Sequence, residues 1–228
     1  MGKTCLFSHL PSAISHQAGF FQRPVRINGN EIRRGSPELL DDIATCLNRN
    51  GRRYQFAPCW TAADLCSFER TRGLSIADFV VATRGAEVVG CAAYWDQRAF
   101  KQVVVRRYSP RIARWRYVAN LLARVTGAPT LPRVGSRLEF AYLSHFAVDD
   151  DRADVATALL SAARSRVLCG ANCLVTGFAD RSPLLLTVAR QARHRAYRTL
   201  LYAASWPDGQ NAVNALDGRL PHPEVAIL

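Results

Sequence analysis

Between Leu138 and Trp206 the chain reads strand, acidic turn, helix, strand, helix, strand, and no other stretch limits its fold as tightly. Leu138 to Val148 alternates and is rich in aromatics, the pattern of a half-buried strand. The acidic run Asp149-Asp150-Asp151-Arg152 follows. Then comes Ala153 to Val167, with Val155, Leu159, Ala163 and Val167 on one helical stripe. Leu174 to Phe178 predicts a second strand, Pro183 opens another helix, and Tyr197 to Ala203 predicts a third strand. A strand that ends where a helix begins turns backbone amides toward a small anion, a layout that often holds a coenzyme's phosphates.

The elements upstream are read from their punctuation. Glu31 to Arg34 predicts a short strand, and residues 1–28, which show no period, an irregular arm. Ser36-Pro37-Glu38 starts a helix whose buried stripe is Leu39, Leu40, Ile43 and Leu47, closed by Asn50-Gly51. Thr61-Ala62-Ala63-Asp64 has the form of a capping box and predicts a second helix running to Gly73. Asp78 to Arg84 and Glu87 to Trp95 are two β runs separated by Gly85-Ala86, which predicts a tight hairpin. Ile112, Trp115, Val118, Ala119, Leu122 and Val125 mark an amphipathic helix, expected to bury Trp115. A loop with Gly127, Pro129, Pro132 and Gly135 follows. At 228 residues the chain suits one domain over 29–228, with a helical insertion at about 97–137.

With 49% hydrophobic residues the chain can build a sizeable core. Its formal net charge is +12, and lysine occurs only at Lys3 and Lys101, so the excess is arginine. The first reading is an arginine-favouring genome; the functional one is an anionic partner, and charge alone does not separate nucleic acid, an acidic membrane surface and a phosphorylated cofactor. The seven cysteines show neither a Cys-x-x-Cys pair nor His at zinc-finger spacing. They are therefore read as reduced thiols of a cytoplasmic protein with no metal site. No run approaches the ~18 apolar residues of a membrane span. Ser8, His9, Pro11, Ser12 and Ser15 interrupt what would be the apolar core of a signal peptide. No nucleophile elbow, Walker loop or Rossmann glycine run occurs.

Assembled, the order is β, α, α, β-hairpin, inserted helix, β, α, β, α, β. This resembles the GNAT superfamily of acyl-CoA-dependent N-acyltransferases over roughly residues 30–206. Phe79-Val80-Val81-Ala82 and Glu87-Val88-Val89-Gly90-Cys91-Ala92 look like that family's second and third strands, with Gly90 at its usual glycine. Phe146 to Leu160 looks like its coenzyme-binding strand and helix, and Trp95 to Tyr108 is similar to a divergent bacterial branch in which this lobe follows another. The resemblance implies an α/β fold of the α+β kind: a mixed, mostly antiparallel central sheet flanked by helices, with a helical insertion before the fourth strand. It also implies acetyl-CoA or another acyl-CoA as cosubstrate, held by Phe146, Ala147, Val148, Arg152, Ala153, Asp154, Val155 and Ala156. The acceptor would be a small-molecule or peptide amine.

Two motifs depart from the family. Its Arg/Gln-x-x-Gly-x-Gly/Ala turn is here Asp151-Arg152-Ala153-Asp154-Val155-Ala156, in which only Ala156 fits. Carboxylates at Asp149, Asp150, Asp151 and Asp154 stabilise a helix start but repel a pyrophosphate. Its Tyr-x-x-x-Gly-Phe acid motif falls on Ala192 to Tyr197, so the tyrosine position is Ala192, and His194 or Tyr202 is left as general acid. Glu139 and His145 share a strand face by parity and are the candidate bases; a Glu raised by burial or a His near its ordinary pKa would serve. The catalytic expectation is therefore Glu139, His145 and Tyr202. The alternative is a non-catalytic module of the same fold that binds a partner, or nucleic acid weakly and non-specifically, through Arg106 to Tyr117.

Overall fold

The computed structural model describes residues 2–9, 25–126, 130–167, 171, 173–191, 194–201, 205–222 and 224–227. The fold is mixed α/β. Its central sheet has eight strands: β1 (Gly2–His9), β2 (Val25–Ile27), β3 (Asn30–Arg34), β5 (Phe79–Arg84), β6 (Glu87–Trp95), β7 (Phe140–Val148), β8 (Cys173–Ala179) and β9 (His194–Leu200). Across the sheet they run β2-β3-β5-β6-β7-β8-β1-β9. Among the described strands of this sheet, β7 against β8 is the parallel pair and the rest are antiparallel. A small ladder outside it joins β4 (Tyr54–Gln55) to β10 (Leu220–Pro221).

Helices cover both faces. On one face α1 (Leu40–Gly51) and α2 (Ala62–Leu65) bury Ile43, Leu47, Trp60 and Leu65 against Phe79, Val81, Cys91 and Ala93. On the other, α4 (Ala153–Val167) and α5 (Pro183–Arg190) bury Val155, Leu159, Ala163 and Leu184 against Val80, Ala92, Leu143, Phe146 and Phe178. Gly90 permits the close approach of α4. A β-carbon there would stand 3.1 Å from Leu159 Cδ1, from Val155 Cγ1 and from the Ala147 carbonyl oxygen.

The β5–β6 hairpin and the Thr61–Asp64 capping box form as their sequences predict. The irregular arm does not hold throughout: Gly2–His9 is a strand paired on both sides, between β8 and the edge strand β9. The second helix stops after one turn because the Ser67 hydroxyl accepts the amides of Glu69 and Arg70, a local bond that competes with helix propagation. The last strand runs three residues earlier than its apolar pattern suggests. The inserted helix, α3 (Pro110–Thr126), is rotated from the expected orientation: Ala123 is its buried residue and Trp115 is 61% exposed.

Gly90→Val forces two methyl groups into the α4–β6 contact and is expected to cost about 1–3 kcal/mol. The readout is a lower urea midpoint at unchanged m-value; an unchanged midpoint would show that α4 does not press on β6 there.

Candidate active site

The site begins with a bulge. Cys91 pairs with Ala147 and Ala93 with Ser144, so β7 carries one residue more than β6 between these pairs. His145 absorbs it at φ 50°, a left-handed conformation that few non-glycine residues adopt. The bulge reverses the parity of everything N-terminal to it. Leu143 faces α4, whereas His145 and Ala147 face α1 and α2, so the parity that placed Glu139 on the face of His145 does not carry through the bulge.

His145 is buried among the rings of Trp60, Phe79 and Trp95, at centroid distances of 4.4, 5.3 and 5.8 Å. Its backbone N–H donates to Glu224 Oε2 at 2.8 Å, and Nδ1 lies 3.0 Å from Ser144 Oγ. Nε2 is buried without a protein partner. Burial, and then the positive charge of Arg70, push its pKa down to about 3. The ring is neutral at physiological pH and a poor proton acceptor, so the expectation of a base near its ordinary pKa is corrected.

Before the bulge β7 and β8 part. They pair over Phe140–Cys173, Ala141–Leu174 and Tyr142–Val175, and from there to Val148 and Ala179 they no longer pair with each other, while β7 stays paired with β6 and β8 with β1. Phe146 and Phe178 meet edge-to-face across the gap, 6.0 Å between centroids. The cleft between the strands is bordered by Arg53, Tyr54, Trp60, His145 to Val148, Ser182, His222 and Glu224. Its volume is about 40 Å³, room for a few waters.

The turn from β7 into α4 starts just after Val148, the last residue of β7 that borders this cleft. Asp150 and Asp151 both have left-handed backbones, φ 54° and 50°. The carboxylates thought to repel an anion are mostly engaged. Asp149 accepts from Arg49 Nη2 at 2.6 Å and from Asn50 Nδ2 at 2.7 Å. Asp151 accepts from Arg53 Nη1 at 2.8 Å, and Asp154 from Arg152 Nη2 at 2.7 Å. The Arg152 guanidinium is the main reason that the Asp154 carboxyl sits below its ordinary pKa. By helix geometry the N–H groups of Ala153 and Asp154 lack carbonyl acceptors within α4. Val155 and Ala156 are buried, and their side chains belong to the core.

The other predicted residues are not gathered here. Glu139 precedes β7, at the end of the strand away from the acidic turn. There it pairs with Arg98 Nη1 at 2.6 Å and borders a separate groove of about 670 Å³ with Arg72, Lys101 and Arg137. Tyr202 lies outside the described residues, and His194 is exposed at the start of β9. Sequence reasoning missed Arg49 and Arg53 on and just after α1, Trp60, and Glu224, which reaches the bulge from the C-terminal segment. A one-turn spacing of Arg49 and Arg53 was visible; nothing local pointed to Glu224.

Cys46, Cys59, Cys66, Cys91 and Cys173 are free thiols. Among the described residues no helix is long and apolar enough to cross a membrane. No protein-family model and no curated protein matches the sequence.

The buried histidine makes stability depend on pH. Below an unfolded-state pKa of ~6.5 the unfolded chain takes up a proton that folded His145, with a pKa of about 3, refuses. Stability therefore falls as pH drops from about 6.5 toward 3, by up to ~1.4 kcal/mol per pH unit. Between about pH 7 and pH 5 the chain should lose about 2 kcal/mol more than His145→Gln, measured by urea unfolding at both pH values. Equal losses would place the histidine in contact with water.

Proposed function

We propose that the protein is an acyl-CoA-dependent N-acyltransferase of GNAT type that moves an acyl group from coenzyme A to an amine. The observation that carries this reading is the parting of β7 from β8 after three residue pairs, with α4 beginning where β7 ends. Such a fork has unpaired strand amides on its inner edges and a helix N-terminus at its mouth, the two features a phosphorylated thioester needs. The N–H groups of Ala153 and Asp154, with the guanidiniums of Arg152 and Arg53, fit the pyrophosphate. The coenzyme supplies an activated thioester, and a strand amide at Ala147 or Val148 is the donor for its carbonyl.

The residues read as the base are reassigned. Glu139 lies in a different groove, and His145 is too weak a base. Among the described residues bordering the cleft Glu224 is the carboxylate, and we assign it to receive the proton of the acceptor ammonium, directly or through water. Because the cleft is narrow, an acyl arm enters only if bordering side chains, His222 and Glu224 among them, yield. The cytoplasm, where acyl-CoA is at hand, is the compartment this reading requires.

The small void and the aspartates at motif positions favour the second reading, a non-catalytic module of the same fold. Calorimetry with acetyl-CoA separates the two. Asp154→Gly removes a carboxylate, frees Arg152 and opens the backbone, and is expected to tighten binding about tenfold, or ~1.4 kcal/mol. Arg152→Ala is expected to weaken it. Absence of heat with the unaltered chain and both variants would establish the non-catalytic reading. Where a panel of amines gives turnover, Glu224→Gln should lower kcat by about 10²-fold or more; an unchanged kcat would remove Glu224 from the chemistry.

A further inference from the structure

The charge of this protein is concentrated in one lobe. From Gln97 to Leu138 there are nine arginines and one lysine and no Asp or Glu, so this segment holds ten of the net +12 charges. Its helix, α3, is held from one side. The Asn120 side chain exchanges hydrogen bonds with both backbone groups of Leu131, at 2.6 and 3.0 Å, and Ala123 is buried on the same face. Arg116 Nη1 and the Tyr108 hydroxyl reach the Pro132 carbonyl beside them.

At 100° per residue, the opposite face carries Trp115, Tyr117, Val118, Leu121, Leu122 and Val125. They are 61, 76, 46, 63, 58 and 84% exposed, respectively. Arg111 and Arg114 lie within that face and Arg124 at its edge. The helix is therefore inverted with respect to a soluble core: its small residue faces the protein and its large apolar residues face out. Large exposed apolar residues gathered on one helix face in this way mark an interaction site.

We propose that α3 docks the protein on an anionic lipid bilayer surface, lying in the interface with its apolar face among the acyl chains. The basis is charge complementarity combined with the kind of apolar residue displayed. Arginines laid along an apolar face extend their stems and keep their guanidiniums at headgroup level, while Trp and Tyr sit at the boundary. An uninterrupted positive lobe gains from the negative potential of a cytoplasmic leaflet. Nucleic acid fits less well, because Val118, Leu121, Leu122 and Val125 offer nothing to phosphates and no ring on which bases stack. The inference is independent of the acyltransferase reading.

The test is flotation of the full chain with vesicles of phosphatidylcholine alone or with about a third phosphatidylglycerol. Binding is expected to the anionic vesicles, at least about tenfold tighter than to the neutral ones, and to weaken with salt. Each arginine at the surface is worth roughly fivefold, so Arg111→Gln with Arg114→Gln should lower affinity about 25-fold. Leu121→Asp with Val125→Asp should abolish binding at unchanged Tm, since both side chains are exposed. In a Trp206→Phe background, Trp115 fluorescence should shift blue and be quenched by brominated acyl chains. Failure to bind anionic vesicles overturns the proposal. So does binding retained by Leu121→Asp/Val125→Asp, binding to single-stranded nucleic acid alone, or a solution dimer whose dissociation follows those two substitutions.

Discussion

The end of the β7–β8 ladder at Tyr142 and Val175 sets the terms for the surrounding structure. Two parallel strands that separate within a sheet expose N–H and C=O groups that must be satisfied or hydrated. The bulge at His145 meets part of this demand by turning its own N–H toward Glu224, at 2.8 Å. The same extra residue allows Phe146 and Val148 to enter the α4 core while Ala147 stays with α1. Without it, one of the two layers would face the wrong residues along half of β7. The C-terminal segment completes the arrangement. Gln97 Nε2 donates to the Ala226 carbonyl at 2.9 Å, and Ala226 packs with Trp95, Tyr142 and Val175 just below the fork.

The acidic turn solves a second problem created by the fork. Successive left-handed residues at Asp150 and Asp151 are tolerable because a short polar side chain can be held locally. Here the bonds come from α1: Arg49 and Asn50 hold Asp149, and Arg53, bonded to the Asn50 carbonyl oxygen of the side chain, holds Asp151. Isolated surface ion pairs contribute little. These share partners and join the C-terminal turn of α1 to the entrance of α4, so they position the helix start as well as neutralise it. Helix amides and carboxylates coexist at this turn because the arginines stand between them.

What was legible in the sequence was local. The Gly85-Ala86 hairpin, the Thr61–Asp64 box and the α4 stripe each depend on residues within a few positions of one another. The mixed, mostly antiparallel sheet is what the family resemblance implied. The Asn28-Gly29 turn, φ 48° and 77°, is a hairpin signal that was open to the same reading, though β2 and β3 are short. The bulge was not legible, because parity assumes a regular strand and one extra residue defeats it. Nor was β1, whose partners stand more than 160 residues away, or Glu224, which meets His145 only through the tertiary fold. For α3 the periodicity was right and the direction was wrong. An apolar stripe marks a face that avoids water, and the sequence does not say whether protein supplies the alternative.

That last point bears on how the charge should be understood. Of the 30 basic residues, removing the ten between Gln97 and Leu138 leaves 20 against 18 acidic ones, a nearly neutral body. Arginine-rich codon usage would spread its excess over the whole surface. Instead, the body matches arginine to aspartate at Arg49, Arg53, Arg152 and Arg219, and the lobe contains no acid at all. Each added cation raises the self-repulsion of the lobe, and each outward apolar side chain on α3 gains nothing from folding. The two features have the same address, and one anionic surface with an apolar interior relieves both. On the proposal that α3 meets an anionic lipid surface, the partition of the chain into a balanced body around the fork and an unbalanced lobe is a division between the proposed site and its docking surface.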